Sequence, residues 1–106
     1  RDYVGQTPIY VTENGMANHE TVVDGEIHDA ARIAFVRAHL GALREAMAAG
    51  VDVKAYFLWS LLDNFEWNSG YEKRFGIVHV DYATQKRTLK DSALWYRDFL
   101  AARRGR

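Results

Sequence analysis

Two apolar, strand-like runs separated by one long amphipathic helix constrain this chain of 106 residues more than any other feature. Ile9 to Thr12 is β-branched and aromatic, and it follows Pro8, which suits the first position of a strand because it has no ladder donor to lose. Val53 to Trp59 is apolar nearly throughout, broken only by Lys54, the pattern of a strand covered on both faces in a parallel sheet. Between them, from about Asp29 to Ala49, the apolar residues Ile33, Val36, Leu40, Leu43 and Met47 recur at alternating steps of three and four. Asp29 is placed to cap that helix and Gly50 to end it. A strand, a helix and a strand in this order favour right-handed parallel pairing with the helix outside. Two parallel strands cannot cover their own faces or edges, so the chain is expected to need neighbours.

After the second strand, Ser60 to Leu89 reads as a long irregular stretch containing a hairpin, with Gly76 to Val80 as one arm. Ser92 to Ala102 is expected to form a short helix presenting Trp95, Tyr96, Phe99 and Leu100 to the core, and Ala101 to Arg106 to fray as a basic tail. No repeat or low-complexity linker divides the chain, so residues 1–106 are read as one segment of one domain. About half the residues are apolar, enough for a modest core. Fourteen basic and fourteen acidic residues cancel, which removes the electrostatic case for nucleic acid or an anionic membrane as partner. There is no cysteine, and no apolar stretch approaches the ~20 residues of a membrane helix. The chain opens Arg1-Asp2-Tyr3 without the charged-then-apolar pattern of a signal peptide, so it is expected to be soluble, cytoplasmic and a piece of something longer.

Two segments carry chemistry. Glu13 closes the first strand in the run Pro8-Ile9-Tyr10-Val11-Thr12-Glu13-Asn14-Gly15, where a carboxylate facing a cleft has the chemistry to attack a sugar ring. Trp59-Ser60-Leu61-Leu62-Asp63-Asn64-Phe65-Glu66-Trp67 follows the second strand and combines ring faces for stacking with a carboxylate for hydroxyl hydrogen bonds. The bland reading of Glu13 is a turn residue before Asn14-Gly15, but no alternating strand follows to complete a hairpin. For Trp59 and Trp67 it is core packing, against which the interleaved Asp63, Asn64 and Glu66 argue. His19, His28, His39 and His79 are scattered without metal-ligand spacing, and no glycine cluster leads into a phosphate-loop lysine. Neither a metal nor a cofactor is expected. Tyr82, Lys86 and Arg87 read most simply as an exposed turn, with lining of the site rim as the lesser alternative, and Glu20, Glu26, Glu45 and Glu72 lack a catalytic setting.

These segments resemble the retaining β-glucosidases of glycoside hydrolase family 1. Thr12-Glu13-Asn14-Gly15 is similar to the family's nucleophile motif and Leu58 to Trp67 to its glucose-binding segment, and the likeness continues through Lys73-Arg74-Phe75-Gly76 and Asp81-Tyr82 to Lys90-Asp91-Ser92-Ala93. The resemblance implies an α/β fold, the C-terminal β7-α7-β8-α8 portion of a (β/α)8 barrel, which in full takes roughly 250 residues or more. It implies Glu13 as nucleophile, Trp59 as aromatic platform, Glu66 as bidentate acceptor from the distal hydroxyls and Trp67 as indole donor. Phe75 would lie against the sugar pocket, although an ordinary buried ring reads nearly as well. The family's acid/base lies in an Asn-Glu-Pro motif, absent from this sequence, so a complementary N-terminal barrel portion is the implied partner. In barrels of this kind the chemistry sits at the C-terminal ends of the strands, where both segments fall.

The implied substrate is a terminal β-glucoside, with galactosides or fucosides admissible. A fixed carboxylate at Glu66 disfavours a 6-phosphate through like charge. Leu89, where the family often has proline, and His79, where it often has an aromatic residue, depart from the pattern away from the chemistry. The alternatives are a carbohydrate-binding fragment without catalysis and a structural fragment with a vestigial site, the latter opposed by the intact Glu13.

Overall fold

A computed structural model describes residues 2–104. Strand β1 (Ile9–Asn14) and strand β2 (Val53–Leu58) pair in parallel, with Ile9 opposite Val53 and Asn14 opposite Leu58. Helix α1 (Ala30–Ala48) forms the crossover between them. Strands β3 (Val78–Val80) and β4 (Arg87–Leu89) form the expected hairpin, antiparallel, with Val80 opposite Arg87. Helix α2 (Asp91–Arg104) closes the chain.

Several boundaries move for identifiable reasons. β1 runs two residues past Thr12, so Glu13 lies within the strand end. β2 stops at Leu58, although the Trp59 N–H still reaches Asn14 O at 2.9 Å, and the Trp59-Ser60 peptide is cis. Gly50 follows the last turn of α1 at φ +101°, a left-handed conformation that glycine adopts without penalty. Asp29 stands at the start of α1, yet its side chain makes no cap there. Its Oδ1 instead accepts the Ser92 N–H at 2.9 Å, capping the first turn of α2, sixty-three positions away in sequence. α2 also extends beyond Ala102 to Arg104, where a frayed tail was expected. Arg103 lies over the Phe99 ring at 3.6 Å and donates to Phe99 O at 3.2 Å, as a cation near a helix C-terminus should. Gly105 and Arg106, the rest of that tail, lie outside the described residues.

Burial is thinner than the apolar pattern implies. The buried apolar side chains among the described residues are Ile27, Val36, Val78, Val80 and Ala93. β2 is not covered on both faces: Phe57 is 56% exposed, and so is half of Met47 on α1. Trp95, Tyr96 and Phe99 stack on one another but remain only half-buried, and Leu100 is exposed. β1 and β2 have no strand partner but each other among the described residues. The space between the helices and the hairpin is occupied by charge: Asp29, Arg32, Asp63 and Lys90 are all buried.

Candidate functional site

The parallel register carries the two motifs to one edge of the sheet. Asn14 pairs with Leu58, so Glu13 and Trp59 leave the C-terminal ends of adjacent strands side by side. Backbone contact here is close: a Cβ on Gly15 would fall 1.8 Å from Trp59 O, so glycine is required after Asn14. Glu13 is exposed, and its carboxylate makes no hydrogen bond or ion pair among the described residues. Beside it, the Tyr56 hydroxyl donates to Asn14 Oδ1 at 2.8 Å. Burial pushes that phenol up to about 12, with a smaller contribution from Tyr96, so it stays a neutral donor.

Trp59 and Glu66 meet directly. The indole Nε1–H donates to Glu66 Oε1 at 3.2 Å, leaving the other oxygen without a protein donor among the described residues. Trp67 opens a short 3₁₀ turn, Trp67–Ser69, and at 84% exposure its ring projects from the molecule. Phe75 is half-buried where the loop returns to the strand end, its carbonyl accepting the Ser60 N–H at 3.0 Å. No hydrogen bond or ring stacking among the described residues joins Trp67 or Phe75 to Glu13.

A chain of buried ions behind this edge is what the sequence reading missed. Asp63 accepts from Lys90 Nζ at 2.8 Å and from the Arg74 guanidinium at 2.6 Å. Burial alone would raise its carboxyl, but the hydrogen bonds and charges of Lys90 and Arg74 hold it below the ordinary carboxylate value. Lys90 also pairs with Glu20, and Glu20 with Arg32, which in turn pairs with Asp29 at 2.6 Å. Glu20, which has no catalytic setting, is a structural member of this chain of charges, its side chain 2% exposed. Tyr82 is likewise no exposed turn residue. Arg74 lies 4.6 Å over its ring and Tyr71 packs at 4.7 Å, whereas Lys86 and Arg87 are exposed as expected. The available signal was a set of charged residues embedded in otherwise aromatic or apolar motifs.

Among the described residues, no group of three His, Cys, Asp or Glu side chains is placed to hold a metal ion. No described helix is long and apolar enough to cross a membrane.

The site thus comprises a strand–helix–strand unit with a carboxylate and an aromatic–acidic pair at one strand edge. Residues 1–105 match the family model described as Glycosyl hydrolase family 1, and the chain belongs to that family. It is 57% identical over 89 residues to Beta-glucosidase A of Thermotoga maritima, covering 83% of this chain and 20% of that protein. It is 47% identical over 102 residues to a 6-phospho-beta-galactosidase of Streptococcus equi subsp. zooepidemicus, covering 96% of this chain and 22% of that one. Among solved structures, the GH1 beta-glucosidase from Exiguobacterium antarcticum B7 superposes with a TM-score of 0.91 at 51% identity, covering 92% of this chain and 22% of the other. The beta-glucosidase from Thermotoga maritima in complex with azafagomine gives 0.87 at 53% identity, covering 89% and 22%. The chain thus spans about a fifth of the length of the curated relatives it matches. Its architecture is that of a fragment of the family's barrel.

Proposed function

We propose that residues 1–106 form a single segment of one glycosidase domain, the β7-α7-β8-α8 portion of a (β/α)8 barrel, and that the completed barrel is a retaining β-glucosidase. The observation that carries this reading is the register of β1 and β2. It sets an unpartnered carboxylate, Glu13, on one strand end and the Trp59–Glu66 pair beyond the next, at the edge where barrels of this fold do their chemistry.

In this reading Glu13 attacks the anomeric carbon, forming a glycosyl ester as the bond to the leaving oxygen breaks. A second carboxyl group, ~5–5.5 Å away in retaining enzymes, protonates that oxygen and then activates the water that hydrolyses the ester. The resemblance places the acid/base in an Asn-Glu-Pro motif that this sequence lacks, so it is assigned to the complementary N-terminal portion of the barrel. Trp59 offers a ring to the sugar, Glu66 its free oxygen to the distal hydroxyls, Trp67 its indole N–H, and Phe75 a wall of the pocket. The relatives include proteins named for phosphorylated and for unphosphorylated substrates. Glu66 favours the unphosphorylated class, because a 6-phosphate would meet a like charge.

A 2-deoxy-2-fluoro glucoside that traps the covalent intermediate tests the assignment in the complete barrel enzyme. Peptide mapping is expected to find the label on Glu13. A label on any other carboxylate would overturn it.

A further inference from the structure

The sugar-binding segment is a loop whose neck is closed by an ion pair that none of its sugar-facing residues belongs to. Ser60 to Phe75 departs from and returns to one place: the Ser60 N–H donates to Phe75 O at 3.0 Å, the Ile77 N–H to Ser60 O at 2.9 Å and the Asp63 N–H to Val78 O at 3.1 Å. The fully buried Asp63 carboxylate then gathers four donors. Oδ1 accepts from Lys90 Nζ at 2.8 Å and from the Gly76 N–H at 3.0 Å; Oδ2 accepts from Arg74 at 2.6 Å and from the Val80 N–H at 3.3 Å. Gly76 permits this approach, since a Cβ there would fall 2.2 Å from Asp63 N and 2.9 Å from Oδ1.

Lys90, with no exposed side-chain surface, precedes the first turn of α2 and also pairs with Glu20 in the β1–α1 connection. The neck of the loop is therefore tied both to the start of α2 and to the β1–α1 connection. A buried ion pair adds little stability that well-packed apolar side chains would not match, but it is directional, and register is its best-attested use. Beyond the neck, the backbone of Glu66 bonds only within the loop, to Gly70 and Ser69, and its side chain bonds to Trp59. Where Glu66 stands is set by that indole and by the neck three residues before it.

We propose that Asp63 and Lys90 act together as positioning residues: the buried pair holds the loop so that the Glu66 carboxylate meets the outer hydroxyls of the sugar. The inference rests on the role given to Glu66 above.

The test compares kcat/KM for a β-glucoside and for the matching β-xyloside, which lacks the hydroxymethyl group, in the complete barrel enzyme. Glu66→Ala is the reference and is expected to lower the glucoside-to-xyloside ratio by roughly tenfold. An unchanged ratio there would sink the reading of Glu66 and this inference with it. With that reference in place, Asp63→Asn keeps the side chain's size while removing its charge. It is expected to lower the ratio about threefold or more, and to add nothing further when combined with Glu66→Ala, because both changes remove one interaction. A folded Asp63→Asn enzyme with a lower Tm and an unchanged ratio would show a purely structural role and overturn the proposal, while Glu66 kept its own. If Asp63→Asn does not fold, Lys90→Arg keeps every charge but displaces the donor, and the same ratio is read. Failure of both to fold would make the pair a determinant of folding rather than of position, again overturning it.

Discussion

Apart from the barrel proposed for it, this chain should lack a cooperative fold, and the size of the deficit follows from its surface. A compact monomer of this mass exposes about 6,100 Å², whereas the chain exposes 7393 Å². Its radius of gyration is 15.7 Å and its extents are 47 × 35 × 19 Å, a slab rather than the sphere-like body of about 13 Å expected for its length. The excess surface is therefore about 1,300 Å². With roughly three-fifths of it apolar, at ~25 cal/mol per Å², the forgone burial is on the order of 20 kcal/mol. That exceeds the 5–15 kcal/mol by which whole domains are typically stable. Tyr10, Phe57, Leu61 and Trp67, each more than half exposed, are among the side chains that contribute to the excess. The isolated chain, followed by circular dichroism during heating and by sedimentation, should melt broadly or self-associate. Adding the complementary barrel portion should restore one sharp transition. A sharp, concentration-independent transition from an isolated monomer would refute the reasoning.

In the complete enzyme, Glu13→Gln should lower kcat by several orders of magnitude while the melting temperature stays near that of the parent, since the amide keeps the side chain's size and Glu13 holds no ion pair among the described residues. Steady-state kinetics beside a thermal melt checks both halves. Gly15→Ala should destabilise the protein strongly, because the new methyl would overlap the Trp59 carbonyl and only backbone movement could relieve it; chemical denaturation that found a change within ~0.5 kcal/mol would contradict the close approach. His79 gives a pH signature: burial, then the charge of Arg74, holds its imidazole below the ordinary value of 6.5. The unfolded state then binds the proton more readily, so stability should fall as pH drops below 6.5 toward the folded value. His79→Phe should flatten that part of the Tm–pH curve, and parallel curves for the two proteins would argue against it.

Local pattern made the strands and α1 legible, and long-range pairing hid most of the rest. Pro8 and the β-branched run after it marked the start of β1, but its end at Asn14 depends on pairing with Leu58, which Thr12-Glu13-Asn14 does not advertise. Asp29 read as the cap of α1 because sequence shows only the helix that follows it. The helix it does cap begins at Asp91, brought near by the fold. Lys90 carried no sign that it would be wholly enclosed, since a lysine is ordinarily a surface residue and its partners, Glu20 and Asp63, lie in other elements. The covering expected over β2 is not supplied by this chain, as the exposure of Phe57 records, because residues that would pack on that face are not among its own. By contrast, Glu13, Trp59 and Glu66 were legible as candidates because unusual residue types sat where apolar periodicity stopped.

The carboxylates of this chain divide by their partners, and the division fits the chemistry proposed for them. Asp29, Glu20 and Asp63 are buried and ion-paired with arginine or lysine, which leaves none of them open to a ligand. Glu66 has one oxygen taken by the Trp59 indole and one available, which suits an acceptor that must be oriented and still reach a ligand. Glu13 alone of these five is exposed at the strand edge with both oxygens uncommitted among the described residues, the condition a nucleophile needs. The buried ions hold the elements that present Glu13 and Glu66 without competing for their oxygens. With that cluster buried behind the edge, a thin apolar core suffices to leave Glu13 exposed at the strand end.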